Sequence, residues 1–204
     1  MMLELKPFVR RIRAHVSDFV NHPIQYARIA LRDQTQTDLH RWSDNSNFQQ
    51  EWDTRTIMIA QQVQVGDFIC EFGAGMQAIR SALPDGCRYQ PFDLVARLPG
   101  TLVCDLNQEY PEIPTESNVA IFSGVLEYIN DLKSLFEWLN SNFERVIFSY
   151  ATTEHTPTPL ERSGNGWVNA YAQTEIQKIA VESGYNCTPL ERWRNHVIFT
   201  AIRR

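Results

Sequence analysis

Apolar residues recur at helical spacing from Leu3 to Val20, where Leu5, Phe8, Val9, Ile12, Val16, Phe19 and Val20 share one side. Lys6, Arg10, Arg11 and Arg13 lie among them, which predicts a basic amphipathic helix. Such a helix either packs on its own domain with its charges solvated or docks on a membrane surface or partner. His22-Pro23 ends it, because proline disfavours helical backbone in the residue before it. Residues 33–50 are rich in Gln, Asn, Asp and Thr and read as a loop. Phe48 to Val63 reads as a helix with Trp52, Arg55, Ile57, Ile59 and Val63 available for packing.

From Val65 the period changes. Asp67–Phe72 is short and nearly all apolar, the pattern of a parallel strand buried on both faces. A brief helix over Met76–Leu83 stops at Pro84-Asp85-Gly86. Cys87–Phe92 is a second strand ending at Asp93, and Thr101–Cys104 a third ending at Asp105. Pro111 and Pro114 hold a loop open before the fourth, Asn118–Phe122. Asp131–Leu139 places Leu132, Leu135, Phe136 and Leu139 on one helical face, and Arg145–Phe148 is a fifth strand. Residues 151–166 read as loop. Gln173–Ser183 is a helix closed by Gly184. Tyr185–Trp193 and His196–Ile202 turn at Arg194-Asn195 and pair antiparallel. Strands alternating with helices predict an open α/β sheet with right-handed crossovers.

Composition narrows the function classes. The chain has 204 residues, 43% hydrophobic and 21% charged, as expected for one soluble domain with at most a short appendage. A formal charge of −5 weighs against a protein that wraps nucleic acid. Cys70, Cys87, Cys104 and Cys187 show no CxxC spacing and read as reduced thiols, so a cytoplasmic setting is expected. No apolar run reaches the ~18 residues of a membrane span, and arginines interrupt any leader-like stretch early. Zinc spacing, a Ser-His-Asp order and a phosphate loop are all missing, so no metal is expected.

The chemistry concentrates at Ile69-Cys-Glu71-Phe72-Gly73-Ala74-Gly75. Two glycines directly after a strand let the chain turn sharply and bring backbone against a ligand. Extended to Ala78, the run also fits the dinucleotide fingerprint G-x-G-x-x-A, with Asp93 about twenty residues on. The turn alone leaves both cofactor classes open. Length counts against the dinucleotide reading, because a dehydrogenase usually needs a second domain and the residues after Gly75 are used in finishing the sheet.

The segment resembles the first motif of class I S-adenosylmethionine-dependent methyltransferases, an acid followed by G-x-G. Ser123-Gly-Val-Leu-Glu-Tyr-Ile129 is similar to that family's stretch after strand four. The resemblance implies a Rossmann-like, seven-stranded, mostly parallel sheet with a C-terminal antiparallel hairpin and helices on both faces. An N-terminal helical extension or lid (1–50) would precede a cofactor-binding domain (51–204). It also implies S-adenosyl-L-methionine as cofactor. Its ligands would be Glu71 (on the ammonium group), Phe72, Gly73, Ala74, Gly75, Asp93 (on the ribose) with Leu94, Asp105 and Leu106 (at the adenine), and Ser123.

Glu127 and Tyr128 would lie near the methyl group, and His155, beside Glu154, is the best-placed histidine for a base. His196 reads as structural. Trp167 and Asn169, in the glycine-flanked loop Gly164–Asn169, would cover the acceptor, with Trp42 and Trp52 opposite. Two positions depart from the family: Gln77 stands where a third glycine is frequent, and Tyr128 where a histidine is. The expected activity is methyl transfer to oxygen or nitrogen of a small-molecule or carbohydrate-like acceptor. The alternative is a non-catalytic cofactor-binding scaffold subunit.

Overall fold

The computed structural model describes residues 37–204, so the basic helix read at Leu3–Val20 lies outside the described residues. Strand β1 (Phe68–Phe72) alternates its side chains between two covered faces, with Ile69 and Glu71 on one and Cys70 and Phe72 on the other. It pairs in parallel with β2 (Arg88–Asp93) on one side and β4 (Val119–Phe122) on the other. Beyond β2 lies β3 (Leu102–Val103), and beyond β4 lies β5 (Arg145–Ala151). The closing hairpin, β6 (Tyr185–Trp193) and β7 (His196–Arg203), adds through β7 antiparallel to β5. The seven-stranded sheet therefore runs β3-β2-β1-β4-β5-β7-β6. Its carboxyl edge, where the parallel strands end, is where open α/β sheets bind ligands.

Both faces are covered. Helix α2 (Trp52–Ala60) and a 3-10 turn at Ala78–Ala82 bring Ile59, Ala60 and Ile79 onto Ile69, Ile121 and Ile147. On the opposite face sit α3 (Leu132–Asn142) and α5 (Gln173–Glu182). Asp131 caps α3 by accepting the Ser134 N–H at 3.0 Å, and the face read from sequence, Leu132, Leu135, Phe136 and Leu139, is buried. Beneath these helices a row of phenylalanines crosses five strands in register: Phe92, Phe72, Phe122, Phe148 and Phe199. Phe72 stacks on Phe92 and on Phe122 at 5.0 Å, and Phe148 on Phe199 at 4.9 Å.

Several elements differ from their predicted form. The polar stretch read as loop contains α1 (Leu39–Ser43) and a 3-10 turn at Asn45–Asn47. Its Asp residues supply the caps, Asp38 to Arg41 N and Asp44 to Ser46 N. The helix read over 48–63 is trimmed to α2, and its Ile57 faces solvent. The helix expected after the glycine turn is only 3-10, and none joins β2 to β3 or β3 to β4. The loop at 151–166 holds α4 (Pro159–Gly164), whose proline takes the first turn, where its missing N–H costs nothing.

Candidate cofactor and acceptor site

The glycine turn is pulled over the end of β2. Gly73 N and Ala74 N both donate to the Phe92 carbonyl, at 2.9 and 3.0 Å. Gly75 N donates to Asp93 Oδ2 at 2.7 Å, tying the turn to the acid expected at the ribose. Gly73 and Gly75 have φ of +72° and +51°. A Cβ on Gly75 would come within 2.6 Å of Phe48 Cε1, so both backbone conformation and close approach require glycine. Gln77 also stands left-handed at φ +54°, in the position where the family often has glycine. Its Nε2 donates to Thr101 Oγ1 (2.9 Å) and Pro99 O (3.3 Å), two bonds that offset the conformational cost.

The acids are already engaged. Asp93 Oδ1 accepts Val95 N at 3.1 Å and Arg97 Nη1 at 2.9 Å, and both side chains of this ion pair are over nine-tenths buried. The Arg97 guanidinium lies 4.6 Å over the Phe48 ring and bonds Asn45 Oδ1, leaving Nη2 buried without a partner. Glu71 is buried in the sheet and accepts the Tyr89 hydroxyl. Burial pushes its carboxyl up to about 8, against the effect of the Tyr89 bond and with that of neighbouring Asp93. At neutral pH it is therefore mostly a neutral acid rather than an anion for an ammonium group. Asp105 Oδ1 accepts Asn107 N and Thr37 Oγ1, each at 3.0 Å, and Leu94 and Leu106 are half-buried beside these acids.

At the end of β4, Ser123 Oγ meets Thr56 Oγ1 (2.8 Å) and Arg55 Nε (3.2 Å). Arg55 Nη1 lies 3.1 Å from His196 Nε2. A guanidinium only donates, so that nitrogen is the acceptor and the ring proton sits on Nδ1, toward Asn195 Oδ1 at 2.9 Å. Burial keeps His196 below the usual histidine range, hence neutral. Glu127 is fully buried; its Oε1 accepts Ala151 N at 2.6 Å and lies 3.4 Å from His196 Nε2, at the last residue of β5 and the first of β7. Its Oε2 has no hydrogen-bond partner.

Tyr128 lies at the edge, donating to Asn165 O (3.2 Å) and accepting Trp167 Nε1 (3.1 Å). Trp167 is buried, with the Arg162 guanidinium 4.9 Å over its ring. Asn169 ties Leu126 O, Ile129 O and the Tyr150 hydroxyl together and so braces the loop from within. His155 is exposed against Arg192, and Glu154 caps α5 through Gln173 N, so these two side chains do not act as a pair.

Residues 37–48 form a strap along this edge. Thr37 bonds Asp105, Arg41 bonds Gly164 O, Trp42 meets Tyr128 edge-on at 5.1 Å, and Phe48 packs over Gly75. Sequence reasoning missed Arg97, Phe48 and Arg41. Only Arg97 left a signal, standing four residues after an acid, at Asp93. Among the described residues no three His, Cys, Asp or Glu side chains converge as metal ligands, and no helix is long and apolar enough to cross a membrane.

No known family profile and no curated protein sequence matches the chain. In fold it is similar to solved methyltransferases. A S-adenosylmethionine-dependent methyltransferase from Mesorhizobium loti aligns with a TM-score of 0.59 at 14% identity, over 74% of this chain and 98% of that one. Human N-acetylserotonin methyltransferase, in complex with S-adenosylmethionine, gives 0.60 at 13%, over 80% and 55%. A Haemonchus contortus phosphoethanolamine N-methyltransferase, with S-adenosylhomocysteine, gives 0.56 at 12%, over 83% and 58%. The chain spans about half the length of several such structures, 54% and 56% of two others. It has the class I methyltransferase fold.

Proposed function

We propose that the protein transfers a methyl group from S-adenosyl-L-methionine to oxygen or nitrogen of a small-molecule or carbohydrate-like acceptor in the cytoplasm. The observation that carries this is the turn Gly73-Ala74-Gly75, whose one side chain is a methyl group, joined through Gly75 N to Asp93 at the adjacent strand end. These groups suit an adenosine-type ligand: a carboxylate for hydroxyl groups and bare backbone for close approach. The turn with Phe72, Asp93 with Leu94, Asp105 with Leu106, and Ser123 would hold it, within a domain spanning 51–204, with 1–50 as the extension and lid.

The cofactor supplies a methyl group already activated on sulfonium, so the chain has to align the acceptor and exclude water. Tyr128 lies where it can line the acceptor site. Glu127 is fully buried and engaged by Ala151 N beside His196, and His155 stands out in solvent, so neither serves as base in this arrangement. The net charge of −5 favours a small acceptor over nucleic acid.

Thermal unfolding with S-adenosylhomocysteine tests the reading. At one hundred times the dissociation constant the ligand adds ~2.7 kcal/mol, which moves the midpoint by roughly 5–10 °C for a chain of this size. No shift, together with a shift for NAD, would overturn it. A non-catalytic cofactor-binding scaffold is the second reading, favoured by one observation: Glu127 is engaged by Ala151 N and His155 by Arg192, so neither stands as a base. A protein that binds S-adenosylhomocysteine yet transfers no labelled methyl group to any cell-extract component would support the scaffold.

A further inference from the structure

Among the described residues, Arg97, Arg55, Arg162 and Arg41 lie about the candidate site, and the first three are held by the protein's own acceptors. Arg97 pairs with Asp93. Arg55 gives Nε and Nη2 to Ser123 and Nη1 to His196. Arg162 spreads its donors over Ala151 O, Thr156 O, Asn169 O and the Tyr150 hydroxyl.

Arg41 is different. Its Nη1 donates to Gly164 O at 3.2 Å, its Nε is buried with no partner, and it pairs with no carboxylate among the described residues. The nearest acid in sequence, Asp38, spends Oδ1 on the Arg41 backbone N–H as a helix cap. The guanidinium sits 5.5 Å from the Trp42 ring. Gly166, at φ +80°, separates it from Tyr128: a Cβ there would stand 3.2 Å from Arg41 Nη1 and 3.6 Å from Tyr128 Cε1.

Arg41 and Arg55 both act electrostatically on Tyr128, with Glu127 opposing them, while the carboxylates Asp38 and Asp105 are engaged by the Arg41 N–H and by Thr37. A part-buried cation whose donors are unspent is costly unless an anion arrives, and a guanidinium fork suits the two oxygens of an acid group.

We infer that the methyl acceptor carries an acid group, carboxylate or phosphate, that Arg41 binds beside the Trp42–Tyr128 pair. This rests on the methyltransferase reading, because it concerns the acceptor side of that site.

The test titrates inorganic phosphate, and separately benzoate, into the full chain at constant ionic strength and follows the unfolding midpoint. The wild type should show a saturable rise with at least one anion. Phosphate alone would point to a phosphorylated acceptor, benzoate alone to a carboxylate. Arg41→Gln should weaken that response ~10-fold or more, and Arg41→Lys, which keeps the charge but loses the fork, by an intermediate factor. Arg88→Gln, a surface control that pairs with exposed Glu116 and lies over Phe68, should leave it unchanged. No saturable response in the wild type, or equal apparent affinity in Arg41→Gln, overturns the inference. S-adenosylhomocysteine is titrated into the same proteins. Its binding kept without an anion response overturns the acid-bearing acceptor alone; an anion response kept without its binding overturns the methyltransferase reading and leaves Arg41 an anion site with no methyl acceptor.

Discussion

Glu71 and Asp93 are neighbouring carboxyls that take opposite roles. Asp93 collects Arg97 and two backbone N–H groups, whereas Glu71 receives only the Tyr89 hydroxyl and, buried, is pushed up to about 8. The unfolded chain loses the Glu71 proton near pH 4.5 while the folded chain keeps it until about 8. Stability from this group is thus complete below pH 4.5 and is lost as pH rises through about 8. Urea unfolding from pH 4.5 to 8.5 should show the wild type losing on the order of 4 kcal/mol relative to Glu71→Gln, which can still accept the Tyr89 hydroxyl. Parallel profiles would mean that Glu71 is ionised in the folded protein. At the other acid, Asp93→Ala should weaken S-adenosylhomocysteine binding about tenfold, read by calorimetry. The strand-end place of Asp93 was readable from the apolar run before it. The protonation of Glu71 was not, because it depends on a β2 tyrosine and on burial that only the closed sheet creates.

The strap teaches a similar lesson among the elements. Residues 33–50 lack an apolar period, so pattern alone makes them loop. What orders the described part is Asp capping together with Trp42 packing on Tyr128 and Phe48 on Gly75, contacts distant in sequence. Strands β1, β4 and β5 were readable because strands buried on both faces are continuously apolar. If Phe48 covers the cofactor turn, Phe48→Ala should raise the association rate of S-adenosylhomocysteine at least ~5-fold in stopped-flow fluorescence, a barrier change of about 1 kcal/mol. An unchanged rate would remove Phe48 from the path. Gly75→Ala should destabilise the protein by about 1–3 kcal/mol, partly from φ +51° and partly from Phe48. A double-mutant cycle with Phe48→Ala should recover the second part only, since the backbone strain remains.

Across the whole molecule, the sheet order followed from alternating elements and the final hairpin, and the missing crossover helices did not. The chain between Asp93 and Val119 carries Pro99, Pro111 and Pro114, so irregular backbone, with Leu106, Tyr110 and Ile113 packed against the core, takes the place of a helix. The phenylalanine row beneath α3 and α5 ties both halves of the sheet. Phe122→Ala, near its centre, should cost about 3–5 kcal/mol in urea unfolding, and a loss under about 1 kcal/mol would mean that the core refills the space. The strand order also dictates how the chain must behave while it is being made. β1 leaves the ribosome with β2 following closely on one side, but its other edge waits for β4, which begins about fifty residues later. At roughly 5–20 residues per second that is about 3–10 s during which Phe68-Ile-Cys-Glu-Phe72 presents an apolar, unpaired edge to other nascent chains. Early chaperone engagement near the first strand, ending when β4 emerges, is the behaviour this topology requires.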